Sequence, residues 1–596
     1  MRNILFVNFF VFLIGMLIAP TLTALPFPEG MANWSEQEKN AQRKAGSELL
    51  VRLNKAIANK DKVFVIPRGN YRFDKVTDDP RPTHVKISDA RDMTIEGNGS
   101  NFFFETFYNG LLVNKSVNLK IKNIVMDWDP VPFTQGKVVS VDHKKNTFVF
   151  KPDKGYEKLY DKLFKSDRLR GILFNPATRQ LKAGQRGFCL KILKKLHNDS
   201  YEVLVRGFHE LKAAECGFKA GDLIAILARM HRAVKTAGCS NVVYENVILH
   251  ASPFVCFVEH GGKGGIVYRQ CGIVKRPGTD RLISGNADGF NSSKALKGPT
   301  LDGCKIENIG DDFVNIHGVY YRIFKQLSPR RLIVQPFEKN GVAKPVVAFI
   351  ENETWNSLGK RTVISQKQVK YLIPESKGNA RKWAAAKNFK PGSKIKAFEL
   401  ELDQPVEIKS AAFFSVSSTT GNNAVIKNCN FTGSLARGIR LQSEDTVIEN
   451  NIVKRCLGPG LTTGGQPGFW GEAVTSKNLK VYNNSFVECA IGGGNKLPAA
   501  VMFNAPGTIG KAEAATNIVF SGNKIIRPGY SAMLLKVCEN VEVKNNTFSE
   551  IGLVPAYDGN KKIPPILIQG AENIKFANNS FDDIGIYVSK NIIERE

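Results

Sequence analysis

Apolar and polar residues alternate along most of this chain in short runs that end on Asn, Cys or Gly, and alternation with period two is the signature of a half-buried strand. The runs repeat one phrase. It reads NLKIKNIVMDW from Asn118, NVVYENVILH from Asn241, GPTLDGCKIENIG from Gly298, AVIKNCNFTG from Ala424 and TVIENNIVKRC from Thr446. It returns as NLKVYNNSFVEC from Asn478, NIVFSGNKIIRPG from Asn517, NVEVKNNTFSEIG from Asn540 and NIKFANNSFDDIG from Asn573. Asn428 lies 22 residues before Asn450 and Asn517 lies 23 before Asn540, a period that suits one coil of short strands and turns. The pattern predicts an all-β fold, a right-handed parallel β-helix. In it each coil pairs with the next at about 4.8 Å, and inward Val, Ile, Leu and Phe stack into one core. Asn at the corners tolerates left-handed backbone and can stack its amides in ladders.

Three stretches depart from the period. A Ser-x-x-Glu capping box at Ser35 precedes Leu49, Leu50, Leu53 and Ile57 at helical spacing, which predicts a helix from about Ser35 to Asn59 that caps the first open coil. Residues 131–225 and 319–415 lack the Asn phrase and carry strands such as RLIVQPF, so each is expected to be an inserted β-rich, barrel-like module. The expected organisation is therefore a signal peptide at 1–24, cap and first coils at 25–130, a module at 131–225, site-bearing coils at 226–318, a second module at 319–415, and C-terminal coils at 416–596.

At 596 residues the chain is too long for one compact core, a limit that a stacked solenoid escapes. The net charge of +28 suits an anionic partner or a basic surface. No nucleic-acid module or zinc spacing accompanies it, so no nucleic-acid partner is expected. Met1-Arg2-Asn3, an apolar run from Ile4 to Ala19 and a small-residue segment to Ala24 read as a secretory signal. That predicts a secreted or periplasmic protein, with no membrane span after cleavage and with an oligosaccharide or polysaccharide, neutral or anionic, as its partner. Of the ten cysteines, Cys271, Cys304, Cys429, Cys456, Cys489 and Cys538 sit beside apolar residues of the repeat and are expected to be buried thiols.

The segment from Arg281 to Tyr321 carries the chemistry. Asp288 precedes Asp311 by 23 residues, one coil, so the two are expected on neighbouring rungs of one face, with Asp312 beside them. Carboxylates that close raise one another's proton affinity, which supplies an acid and a base in one patch. Glycoside hydrolysis needs that pair, and an inverting enzyme ordinarily separates its carboxyls by about 6.5–9.5 Å to admit water. Successive strand residues face opposite ways, so Asp311 and Asp312 share the groove only if the strand bends, and Gly310 offers the bend. Phe313, Asn315 and His317 alternate onto one face, which makes Asn315 and His317 candidates to bind sugar hydroxyls. Trp355, in the second module, and Trp128, Trp383 and Trp470 are candidate stacking surfaces. Arg281, Arg437 and Arg440 are candidate partners for an anionic substituent. No metal and no cofactor are called for.

NADGF followed one coil later by GDD resembles the polygalacturonases in layout, although their Gly-His-Gly and Arg-Ile-Lys motifs are missing. RPGTDRLISGNADGF, IGDDFVNIHG, DWDPVPFTQG at Asp127 and the inserted barrels more closely resemble glycoside hydrolase family 110, bacterial exo-acting α-1,3-galactosidases. The resemblance implies an inverting hydrolase that removes a terminal α-linked galactose. Asp311 would protonate the departing oxygen while Asp288 and Asp312 hold and deprotonate water. Asn291 stands where that family usually has His, which marks it as a residue of altered sugar recognition. Two other classes remain open at this point: a β-helix polysaccharide lyase with a cation on the carboxylates, and a non-catalytic glycan-binding or adhesion β-helix.

Overall fold

The computed structural model describes residues 34–595 except 78–81, 157–158, 160–163, 167–168, 208–213, 339, 352–353, 374–391, 409–411, 467–469, 494–498, 509, 553–561 and 590. The expected signal peptide and Trp383 lie outside the described residues.

Short strands stack in parallel register from Val63 to the C-terminal end and form a β-helix. Along one column Phe257 pairs with Phe290, Phe290 with Val314, Val314 with Ile439, and Ile439 with Leu461. Inward residues of successive coils, among them Phe290, Val314, Ile316, Ile439 and Leu441, are fully buried in one continuous core. The corner asparagines behave as their chemistry predicts. Asn478, Asn517, Asn540 and Asn573 adopt positive φ, and each amide donates to the one before it, Asn478 donating in turn to Asp445. A second ladder runs inside: Asn451, Asn484, Asn523, Asn546 and Asn579 stack in register, and the same column continues N-terminally as Cys429, Cys304 and Cys271. A buried thiol and a self-bonded amide thus fill equivalent corner space. All ten cysteines are free thiols.

The helix Glu36–Asn59 caps the N-terminal coil. Ser35 accepts from the Glu38 amide and Glu38 accepts from Ser35, which closes the capping box. Leu49 and Leu53 bury against the first rungs, and the helix lies so close that a Cβ on Gly46 would meet the Arg72 carbonyl at 2.2 Å.

Two antiparallel barrels interrupt the coil. In the first, the strands Phe133–Asp142, Thr147–Pro152, Tyr201–Gly207, Phe188–Lys195, Leu169–Phe174 and Leu223–Leu227 pair in that order and close on Phe133–Asp142. In the second, the strand Val314–Ser328 leaves the solenoid and joins Arg331–Val334, Lys394–Leu402, Ser357–Leu372, Val346–Glu351 and Ala412–Val416, which returns to pair with it. Each barrel has its own core, around Phe148 and Phe150 in one and Leu332 and Phe414 in the other. Val314 and Ile439 are therefore neighbours on adjacent coils with the whole second barrel between them in sequence. Among the described residues, no helix is long and apolar enough to cross a membrane.

Candidate active site

The site lies on the coils between the two barrels. Phe290 pairs with Val314, so counting back two residues aligns Asp288 with Asp312, and the Gly289 amide donates to the Asp312 carbonyl at 2.9 Å. The coil here is 24 residues, one more than the spacing used to align Asp288 with Asp311, and the in-register partner is Asp312 instead. Asp311 joins them because the chain bends at 310–313, between the strands Lys305–Ile309 and Val314–Ser328. Gly310 is required there: a Cβ would fall 2.4 Å from the Asn286 carbonyl and 2.7 Å from Leu227. One oxygen from each of Asp288, Asp311 and Asp312 lies within 4.8 Å of the other two. This is tighter than the gap expected of an inverting pair, because adjacent rungs of a parallel sheet set the separation.

Arginines frame the triangle. The next residue in the column is Arg437, whose amide and Nε each donate to Asp312 Oδ1 at 2.9 Å while its Nη2 donates to Oδ2 at 3.0 Å. Arg229, just past the first barrel, pairs with Asp311 at 3.0 Å and donates to the backbone carbonyls of Asn286 and Gly310, tying two rungs together. Asn286, within the NADGF motif, is a clasp: its amide donates to the Pro132 and Ala228 carbonyls at 2.8 Å, on both stalks of the first barrel.

Burial, then the charges of Asp311 and Asp312, push the Asp288 carboxyl well above the usual range, although Asn291 donates to it at 2.9 Å. Asp312 is also raised; burial outweighs the opposing Arg437, and Asp311 adds to the rise. Asp288 and Asp311 keep some exposure, whereas Asp312 is buried. The triangle is of a size to hold either a water or a cation, and Arg437 and Arg229 already balance two of its charges.

A polar tier adjoins it. Asn315 pairs across the coil with Arg440, and its amide donates to Glu472 Oε1 at 3.2 Å; Arg440 Nη2 sits 2.9 Å from Glu472 Oε2. Burial opposes ionisation of Glu472, but His317, Arg440 and Arg437 outweigh it and hold its carboxyl below the usual range. His317 faces this tier with Nδ1 donating to the Gly318 carbonyl at 2.7 Å. Trp355 lies behind it, its ring 6.4 Å from Tyr320 in a cluster with Ala473 and Val474, which directly follow Glu472. Arg281 stands apart, buried, with its guanidinium on both oxygens of Asp127 at 2.9 and 3.0 Å. Glu472 and Arg229 carried no signal in the sequence, since each reaches the site from a segment whose placement only the folded coil fixes.

The relatives of this chain mark it as a glycoside hydrolase built on a β-helix. The family model described as "Right handed beta helix region" matches residues 412–593. The chain is 23% identical over 474 residues to Alpha-1,3-galactosidase B of Bacteroides thetaiotaomicron, covering 71% of this chain and 69% of that protein. It is 21% identical over 534 residues to Alpha-1,3-galactosidase A of Bacteroides fragilis, covering 84% of each. Among solved structures the likeness is weaker: a protein titled "Glycoside hydrolase" aligns with a TM-score of 0.39 at 10% identity, over 90% of this chain and 92% of that one. The chain is thus a homologue of the family 110 α-1,3-galactosidases, as its motifs suggested.

Proposed function

We propose that this protein is an exported, exo-acting, inverting α-galactosidase that removes terminal α-1,3-linked galactose, with Asp288, Asp311 and Asp312 as its acid and base and with Asn291, Asn315 and His317 among its sugar ligands. The observation that carries this reading is the carboxylate triangle. In an equilateral triangle with sides of at most 4.8 Å the centre lies no more than about 2.8 Å from each corner, which is within hydrogen-bond reach. One water fits there, held by carboxylates that can take its proton as it attacks the anomeric carbon. Direct attack by water inverts the configuration.

The resemblance favours Asp311 as donor to the departing oxygen, and its partial exposure beside Arg229 suits that role. A second division is favoured by the Asp288 carboxyl, whose proton affinity burial and the charges of Asp311 and Asp312 raise well above that of an ordinary Asp. Aryl α-galactosides separate the two. Replacement of the acid by Asn spares substrates with good leaving groups and removes the alkaline limb of the pH profile, whereas replacement of the base abolishes turnover of all substrates. Proton NMR of the first released sugar tests the whole reading: β-galactose from an α-linked disaccharide is expected. Initial α-galactose sinks inversion. Absence of turnover on every α-galactoside, or an unsaturated product that needs a divalent cation, sinks the galactosidase.

A further inference from the structure

The strand Ile439–Gln442 turns Ile439 and Leu441 into the core, so Arg440 points out of the coil on the face that it shares with Asn315 and Asn291. Arg440 is nevertheless 3% exposed. It is covered by the segment that follows the next strand, Leu461–Thr463. Gln466 accepts from Arg440 Nη1 at 2.7 Å, and Glu472 sits 2.9 Å from its Nη2. Gln466 and Glu472 also exchange both backbone hydrogen bonds, at 2.8 and 3.1 Å, which closes the segment at its base. Gly471 bends the chain at a φ of 66°, and its carbonyl accepts from the Tyr320 amide at 2.8 Å, on the strand that leads into the second barrel. The base of this segment is therefore fixed, and it stands over the outer face of the coil that carries Arg437.

Trp470 belongs to that segment and faces solvent. It is 57% exposed, against 37% for Tyr108, the next most exposed Phe, Tyr or Trp among the described residues. An indole kept in water gives up the burial that ordinarily stabilises a Trp, and its flat apolar face suits the C–H side of a pyranose ring. Three links tie it to the acids. Asn291 donates to Asp288 at 2.9 Å, Asn315 pairs with Asn291 on the next rung, and Asn315 donates to Glu472 at 3.2 Å. Trp470 precedes Glu472 by two residues, at most about 7 Å of chain. The sugar that is attacked has to descend to carboxylates of which Asp312 is buried. The unit on the other side of the scissile bond stays at the rim, at the level of the indole.

We propose that Trp470 is the platform on which the departing sugar unit stacks, and so a residue that sets specificity beyond the scissile bond. The contact reads a pyranose ring with an apolar face. The inference rests on the hydrolase reading and extends it, since that reading assigns no residue to the unit that leaves.

Trp470→Ala and Trp470→Phe are compared with the wild type on α-1,3-galactobiose and on α-galactosyl fluoride, whose leaving group is a single atom, with circular dichroism melts to establish folding. Trp470→Ala is expected to lose at least tenfold in kcat/KM on the disaccharide, chiefly through KM, and less than twofold on the fluoride. Trp470→Phe, which keeps a ring, is expected to recover most of that loss. Equal losses on both substrates overturn the proposal, as does an undiminished rate on the disaccharide. Tryptophan emission gives a readout apart from turnover: galactobiose added to Asp288→Asn should change the emission, and Trp470→Phe in the same background should remove the change. An identical response with and without Trp470 overturns the platform. If the wild type cleaves neither substrate, the hydrolase reading falls on its own, and emission is titrated with galactobiose, lactose and maltose. A change that Trp470→Phe removes then upholds the platform, and no such change overturns it.

Discussion

Two clusters of carboxylate and arginine lie close together in this chain and behave in opposite ways. At Asp127 one buried carboxylate meets Arg276 at 2.7 Å and Arg281 at 2.9 Å, and although burial opposes its charge, the two guanidinium groups bring its pKa down to about 2. At the candidate active site three carboxylates crowd together, Asp312 paired with Arg437 and Asp311 with Arg229, and Asp288 is pushed the other way. The first cluster is locked in one protonation state and fastens the segment that leads to Asp288. The second holds a carboxyl whose proton affinity its neighbours and its burial raise. The ratio of acids to arginines, more than burial, separates a clasp from a reactive site.

Breaking the clasp has the largest expected effect on stability. Asp127→Asn leaves two buried guanidinium groups facing a neutral amide, and a loss of about 3–5 kcal/mol is expected in denaturant unfolding. A variant as stable as the wild type contradicts the clasp. The sign with pH follows from the depressed pKa: the stabilisation is complete above the unfolded value of about 3.9 and is lost as pH falls through about 2. The wild-type advantage over Asp127→Asn should fade over that acid interval and persist at neutral pH.

At the site, Asp288→Asn, Asp311→Asn and Asp312→Asn are each expected to lose about 10²–10⁴ in kcat/KM on the disaccharide with the fold retained. Full activity in any two of them removes the triangle from the chemistry. Arg437→Met is expected to raise the proton affinity of Asp312 further, because the guanidinium opposes that rise. The acid limb of the activity profile should move to higher pH, a shift a merely structural role would not produce. The smallest effect sharpens the contrast most. Asp288 is raised in the folded state, so its ionisation costs stability as pH climbs above the unfolded value, and Asp288→Asn should melt about a degree or two higher than the wild type at neutral pH. Asp127→Asn should do the reverse.

The fold was legible in the sequence because period-two alternation and corner Asn are local features that each coil repeats. The helix cap was legible from the Ser35 and Glu38 box and from Leu49, Leu50, Leu53 and Ile57 at helical spacing after it. The acid triangle was legible as a spacing, but its register was off by one: coils vary in length, and the bend at Gly310 brings in Asp311 where strand alternation would have turned it away. Arg281 stands in a motif beside Asp288, which suggested contact with substrate, yet adjacency in sequence says nothing of which way a loop turns its side chains. Glu472 and Arg440 meet because the strand Glu472–Ala473 folds back onto Gly318 and Val319, a pairing that no local pattern encodes.

The second barrel separates Val314 from Ile439, and the same gap divides Asp312 from Arg437. Coils stack only when these distant segments meet, and closing so long a loop is entropically unfavourable until the barrel condenses and draws its ends together. During synthesis the three acids emerge well before the arginine that steadies one of them. The pairing of Asp312 with Arg437 is therefore complete only once the segments on either side of the second barrel have met.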